Sequence, residues 1–272
     1  MANSELLLGE RQTLIQDRLA AHGRVIAADL ADELGVSEDT IRRDLREMAS
    51  AGLCRRVYGG ALQLSISPSF SERVGVNVDR KEALARTSVT LIASGATIFL
   101  DAGSTNLAIA RSLPAEKNLT VVTNAPAIAA ALIDRSGIEV IQIGGPIDRK
   151  TGAATGAKAL RDAEALRPDL YILGVCGLHP DAGITAFSFE EAEFKRFVAM
   201  NSRTVLTAVT NDKLSLAAPY AVVPLTRLNH AVLEADADET DLQELAALGV
   251  RITRAERPAS RSPGRMKITI PS

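Results

Sequence analysis

The stretch Ser37–Gly60, S-E-D-T-I-R-R-D-L-R-E-M-A-S-A-G-L-C-R-R-V-Y-G-G, decides how the rest of the chain is read. Ser37 suits a helix N-cap, because its hydroxyl can take an N–H that the first turn leaves unpaired. Glu38 and Asp39 follow at the positive end of the helix dipole. Ile41, Leu45 and Met48 recur at the spacing of one apolar stripe, and Asp39, Arg42, Arg43 and Arg46 lie opposite. A helix with an apolar back and an arginine front can pack on a small core and face the major groove of DNA. The same front also describes a plain solvated face, so the flanking segments decide between the two.

Those segments have helix-turn-helix order. Glu10–Ala21 reads as a first helix with Gly23 as its stop, and Ile26–Leu34 as a second. Gly35–Ser37 is a tight turn into the third helix, which ends at Gly52. Residues Leu53–Leu64 then alternate and turn at Gly59–Gly60, as a two-stranded wing would. Arg55 and Arg56 sit where a wing can grip phosphates.

At this point the chain resembles the N-terminal domain of the DeoR family of bacterial transcription regulators. The family pattern V-S-x-x-T-I-R-R-D-L, followed by a glycine, a basic residue and H-G-G-A, is met by Val36, Ser37, Thr40, Ile41, Arg42, Arg43, Asp44, Leu45, Gly52, Arg56, Gly59, Gly60 and Ala61. The usual wing histidine is Tyr58 here. The resemblance implies double-stranded operator DNA as a partner. Its candidate contacts are Ser37, Asp39, Thr40, Arg42, Arg43 and Arg46 on the helix, with Arg55, Arg56 and Tyr58 on the wing.

Composition sets the outer bounds. The 272 residues allow one small domain and one of ordinary size. Aromatic residues make up 3% and Trp is absent, which argues against single-strand binding by base stacking. Net charge is −2, so any nucleic-acid contact rests on clustered arginines and not on bulk charge. Cys54 and Cys176, with His22, His179 and His230, show neither zinc spacing nor a disulfide framework, so no metal or cofactor is expected. The sequence shows no signal peptide and no run long enough to span a bilayer, which gives the expectation of a soluble, cytoplasmic protein.

After the wing, Ser65–Val78 reads as a Ser-rich linker. Strands and helices then alternate. Strand stretches are Thr97–Leu100, Leu119–Val122, Glu139–Ile143, Leu170–Val175, Thr204–Val209, Ala231–Leu233 and Val250–Thr253. Helical stretches are Asp79–Ile92, Leu107–Leu113, Ala127–Leu132, Glu190–Asn201 and Asp241–Leu248. This order predicts an open, mainly parallel α/β sheet. The expected organisation is a winged helix-turn-helix over 7–64, a linker over 65–78, a larger α/β domain over 79–256 and a Pro-rich, basic tail over 257–272.

In such sheets small molecules bind beyond the carboxyl ends of the strands. Polar and glycine-rich segments fall there: 101–106, Thr123–Asn124, Gly144–Gly145 and Gly177. Asp101–Asn106 leads straight into a helix, where free N–H groups suit a phosphate. Ordinary βα turns favour the same residue types, so this reading stays open on chemistry alone. Gly152–Lys158 loosely evokes a nucleotide phosphate loop, but its spacing is wrong.

The family resemblance continues through F-L-D-A-G-S-T-N (99–106), V-V-T-N (121–124), I-Q-I-G-G (141–145), the glycine-spaced stretch Pro168–Thr185 and F-S-F-E-E-A-E-F-K-R (187–196). Lys213 aligns with a family lysine, although Thr210, Asp212, Leu214 and Ser215 depart from the motif around it. The resemblance implies a domain similar in fold to ribose-5-phosphate isomerase and the CoA transferases, sensing a phosphorylated sugar or related metabolite. The implied effector residues are Asp101, Gly103, Ser104, Thr105, Asn106, Asn124, Gly145, Glu191, Lys195 and Lys213. Glu191 and Lys195 also suit a plain ion pair one helical turn apart. The expected protein is a homo-oligomeric regulator, a repressor of carbohydrate genes, with no catalytic residues. The competing reading is a sugar-phosphate isomerase or CoA-transferase-like enzyme using Asp101, Glu191 and Lys213.

Overall fold

A computed structural model describes residues 8–22, 24–51, 53–63 and 69–257. The glycine stops at Gly23 and Gly52, the first part of the expected linker and the tail from residue 258 lie outside the described residues.

The N-terminal unit has three helices, Leu8–His22, Ala27–Leu34 and Glu38–Ser50. Gly35, with φ 64, makes the turn between the second and third. Ser37 caps the third helix by accepting the Thr40 N–H at 3.2 Å. Cys54–Val57 and Gly60–Gln63 form the wing hairpin. A short strand that the sequence did not suggest, Arg24–Ile26, pairs with the outer edge of Gly60–Gln63. Three residues are too few to show a period, and the strand exists because the wing offers it a partner. Gly60 permits that approach: a Cβ there would sit 2.0 Å from the Val25 carbonyl oxygen.

The third helix has two faces. Ile41, Leu45 and Met48 point inward and are buried against Ile15, Leu19 and Leu30. Asp44 also points inward, where Arg11 of the first helix grips it with two nitrogens, one at 3.1 Å from Oδ1. Asp39, Arg42, Arg43 and Arg46 are exposed.

The C-terminal unit is built on seven parallel strands. Their spatial order is Arg251–Arg254, His230–Leu233, Thr204–Val209, Leu170–Ile172, Thr97–Leu100, Leu119–Thr123 and Ile138–Gln142. Side chains alternate along each strand, so the sheet feeds two cores. Ile98, Leu100 and Ile172 join Leu84, Leu107 and Ile128 on one face. Phe99, Tyr171 and Val205 join Phe194, Val198 and Leu245 on the other. The result is a helix–sheet–helix sandwich, the α/β class that alternating strands and helices predict.

Three differences from the sequence reading matter below. The expected linker over 65–78 contains a helix, Phe70–Gly75, closed by a Ser69–Glu72 capping box. Phe70 and Val74 of that helix pack on the core of the larger unit. A small antiparallel sheet, Gly177–His179 with Gly183–Ala186 and Tyr220–Val223, stands apart from the main one. A two-stranded hairpin, Ile147–Asp148 with Ala153–Ala154, forms another separate ladder. Among the described residues no helix is long and apolar enough to cross a membrane.

Candidate functional site

The exposed face of the helix Glu38–Ser50 is the first candidate surface. Arg42 pairs with Glu38 at 2.7 Å and Arg43 with Glu47 at 3.3 Å, each one turn away on the same helix. Exposed pairs of this kind contribute little, at most about 1 kcal/mol. A phosphate or base edge can therefore displace Glu38 or Glu47 at small cost.

The wing divides its two arginines. Neighbouring side chains on a strand point to opposite faces. Arg56 is exposed, whereas Arg55 turns toward the larger unit. Its guanidinium lies over the Phe187 ring, 3.7 Å from the centroid. Tyr58 sets its ring edge-on to His179 at 5.3 Å and bridges to Ala217. Arg24 donates to the carbonyls of Asp212 (3.1 Å), Leu214 and Asn211 (3.4 Å). Tyr58 stays largely exposed beside that contact. Arg55, expected with Arg56 on the phosphate-gripping face, turns onto the larger unit in this conformation, because strand alternation sets it opposite Arg56.

Beneath that contact lies a cavity of about 660 Å³. It opens where strand order reverses. The strands following Thr97–Leu100 run outward on one side, and those following Leu170–Ile172 on the other. Loops leaving these two adjacent strands diverge and leave a crevice, which is where open α/β sheets take their ligands. Gly103, Ser104, Thr105 and Asn106 line it at the N-terminus of the helix Ser104–Ser112. The Thr105 hydroxyl is buried and has no hydrogen-bond partner among the described residues. Arg24, Arg55, Arg73, Lys81, Lys150, Lys195 and Lys213 also line the cavity, against Asp148, Glu191 and Asp212. The wall therefore carries an excess of positive charge.

Lys195 is fully engaged. It reaches the Gly174 carbonyl at 2.5 Å, Glu191 at 2.7 Å and Asp101 at 3.4 Å. Burial alone would pull its proton off, but the Asp101 and Glu191 carboxylates reverse this and hold it above the ordinary lysine value. Asp101 is fully buried, and burial raises its carboxyl despite Lys195. Its oxygens accept the Ala102 N–H at 2.8 Å and the Gly174 N–H at 3.0 Å. Gly174 must be glycine for this approach, since a Cβ would lie 2.4 Å from the Ala102 carbonyl. Lys81 donates to the carbonyls of Arg73 and Val76. Burial first, then Lys213, brings its pKa down to about 8. Burial likewise lowers that of Lys213.

Of the expected effector residues, Gly103, Ser104, Thr105, Asn106, Glu191, Lys195 and Lys213 come together on this wall. Asp101, Asn124 and Gly145 do not line it. Asp101 lies behind Lys195 and braces it. Asn124 exchanges hydrogen bonds with Ala154, tying a strand end to the hairpin. Gly145 packs against Thr155 and Ala159. The Asn106 amide, although on the wall, spends both donors on the Asp101 and Ile172 carbonyls. The sequence reading missed Arg24, Arg73, Lys81 and Lys150, which arrive from four separate segments and share no motif. Only the capping signature at Ser69–Glu72 hinted that the segment bearing Arg73 is ordered.

Comparison with known proteins supplies the family. A family model described as the DeoR C terminal sensor domain matches residues 76–235. One described as the DeoR-like helix-turn-helix domain matches residues 11–67. The glycerol-3-phosphate regulon repressor of Escherichia coli is 32% identical over 75% of this chain and 82% of its own length. The HTH-type transcriptional regulator GlpR of Haloferax volcanii is 30% identical, over 91% and 98%. Among solved structures, the full-length sorbitol operon regulator SorC from Klebsiella pneumoniae aligns with a TM-score of 0.41 and 12% identity, over 88% of this chain and 98% of that one. With both of its units matched by the family's models, the chain belongs to the DeoR family of DNA-binding transcription regulators.

Proposed function

We propose that this regulator is a repressor of carbohydrate-metabolism genes and that a phosphorylated sugar or related metabolite, seated in the cavity, relieves its hold on operator DNA. The observation that carries the reading is the cavity wall. Basic side chains surround a helix N-terminus and an unpartnered buried hydroxyl at the sheet's switch point. That combination suits a small anion with hydroxyl groups. The relative named for a glycerol-3-phosphate regulon is consistent with the same ligand class. A homodimer or larger assembly fits, because helix-turn-helix proteins read paired half-sites.

The geometry favours sensing over isomerisation. Asp101 is off the wall with both oxygens engaged, and Glu191 is held by Lys195. Neither is placed as a free base. A mobility shift on the gene's own promoter, titrated with phosphorylated metabolites and run beside a turnover assay, tests the reading. Release of DNA without turnover supports it, and turnover of the same compound would sink it. Asp101→Asn keeps the shape and removes the charge that braces Lys195. It is expected to bind promoter DNA normally and to lose release.

A further inference from the structure

Arg55 is partly buried, and burial lowers its affinity for its proton. Yet among the described residues no carboxylate pairs with it. Its guanidinium lies over the Phe187 face, and the residue lines the cavity. Arg24, beside it, is held by carbonyls of the turn that carries Lys213. A desolvated guanidinium with unspent donors, facing a cavity already rich in cations, is costly unless an anion arrives. Both arginines belong to the DNA-binding unit, while the remaining cations belong to the sensor unit. The cavity is completed only when the wing sits on it.

We infer that the effector site is composite: Arg55 of the wing, seated on Phe187, is a direct ligand of the effector's anionic group, so that occupancy clamps the DNA-binding unit onto the sensor unit. This rests on the reading of the cavity as an anion site. The clamp gives that reading its means of control. A molecule that touches both units favours the docked wing by its differential affinity for that state, and by no more. Linkage is reciprocal, so operator DNA that draws the wing off the sensor must weaken effector binding by the same factor. Guanidinium suits the role better than ammonium, because its planar fork can stack on Phe187 and still present two N–H groups to one phosphate.

The test uses the full-length protein, with inorganic phosphate, glycerol 3-phosphate and ribose 5-phosphate as probes. Calorimetry gives each Kd for the wild type, Arg55→Gln, Arg55→Lys and the sensor-side control Lys213→Gln. Hydrogen exchange is followed over residues 54–63 with and without the tightest probe. Arg55→Gln should raise that Kd at least about ten-fold, in line with a lost charge-assisted hydrogen bond. Arg55→Lys should recover part of it. The probe should slow exchange across the wing of the wild type and not of Arg55→Gln. If Lys213→Gln loses the probe while Arg55→Gln binds it as the wild type does, the composite site is wrong and the sensor reading survives. Should the wild type bind none of the three, both readings fall.

Discussion

The arginine-faced third helix and the cavity are built on opposite plans. The helix Glu38–Ser50 gathers its polar face from one segment, and Arg42 and Arg43 pair with carboxylates one turn away. The cavity gathers its charge from segments as far apart as Arg24, Arg73, Lys150 and Lys213. Lys195, paired with Glu191 and Asp101, joins two segments of that wall. The first surface is local and open. The second is non-local, and its full lining comes together only when both units are folded and docked. A change on the helix should therefore act on DNA alone, whereas a change under the cavity should act through the fold.

The sharpest way to break this contrast is inside the helix itself. Asp44 is 1% exposed and gripped by Arg11. Asp44→Ala takes from the partly buried Arg11 the carboxylate that grips it, and losing such a charge-assisted pair typically costs about 1–3 kcal/mol. Denaturant unfolding should show that loss, and an unchanged midpoint would place Asp44 among the DNA-facing residues after all. Comparable in size is Arg43→Ala, which should weaken operator binding by about 1–3 kcal/mol if the side chain reads a guanine. Stability should stay as it was, and an equal loss on random DNA would reduce the role to a phosphate contact.

Smaller again is Arg56→Ala. It should lower affinity for all sequences alike and reduce the salt slope by about 0.9, one phosphate's share. A changed base preference at constant slope would overturn the division of labour between Arg55 and Arg56.

The smallest effect is one of pH. Lys81 has a folded pKa of about 8, below its ordinary 10.5. The unfolded chain thus holds more protons between those values, and this group's contribution to stability rises with pH across that window. Probe binding should move the other way. A phosphate monoester, whose second pKa is about 6, is already fully charged there. Its affinity should fall a few-fold from pH 7 to 9 as Lys81 loses its charge. Lys213, Asp212 and Arg73 surround Lys81, so Lys81→Met is the control that should flatten the profile.

The same contrast explains what the sequence could reveal. Ser37, the Ile41–Leu45–Met48 stripe and the Gly59–Gly60 turn are signals within a few residues of one another, and each is found where its chemistry puts it. The parallel sheet was legible because its strands alternate with helices. The walls of the cavity are legible at the Gly103–Asn106 loop, in the helix bearing Glu191 and Lys195, and at Lys213 through the family resemblance. Arg24, Arg73 and Lys81 carry no local mark, since their common position depends on a tertiary dock. For Asp101 the family resemblance implies a ligand's role. The structure instead places it one layer deeper, spending its charge on Lys195.

The two-faced helix has a consequence for how such a regulator can be retargeted. Ile41, Asp44, Leu45 and Met48 hold the helix in place, while Asp39, Arg42, Arg43 and Arg46 make no contact that the core depends on. Half of the T-I-R-R-D-L run is therefore scaffold and half is vocabulary. New operator words can be written at the outward positions without renegotiating stability, because none of those positions lines the cavity and the wing residue that does, Arg55, lies beyond the helix.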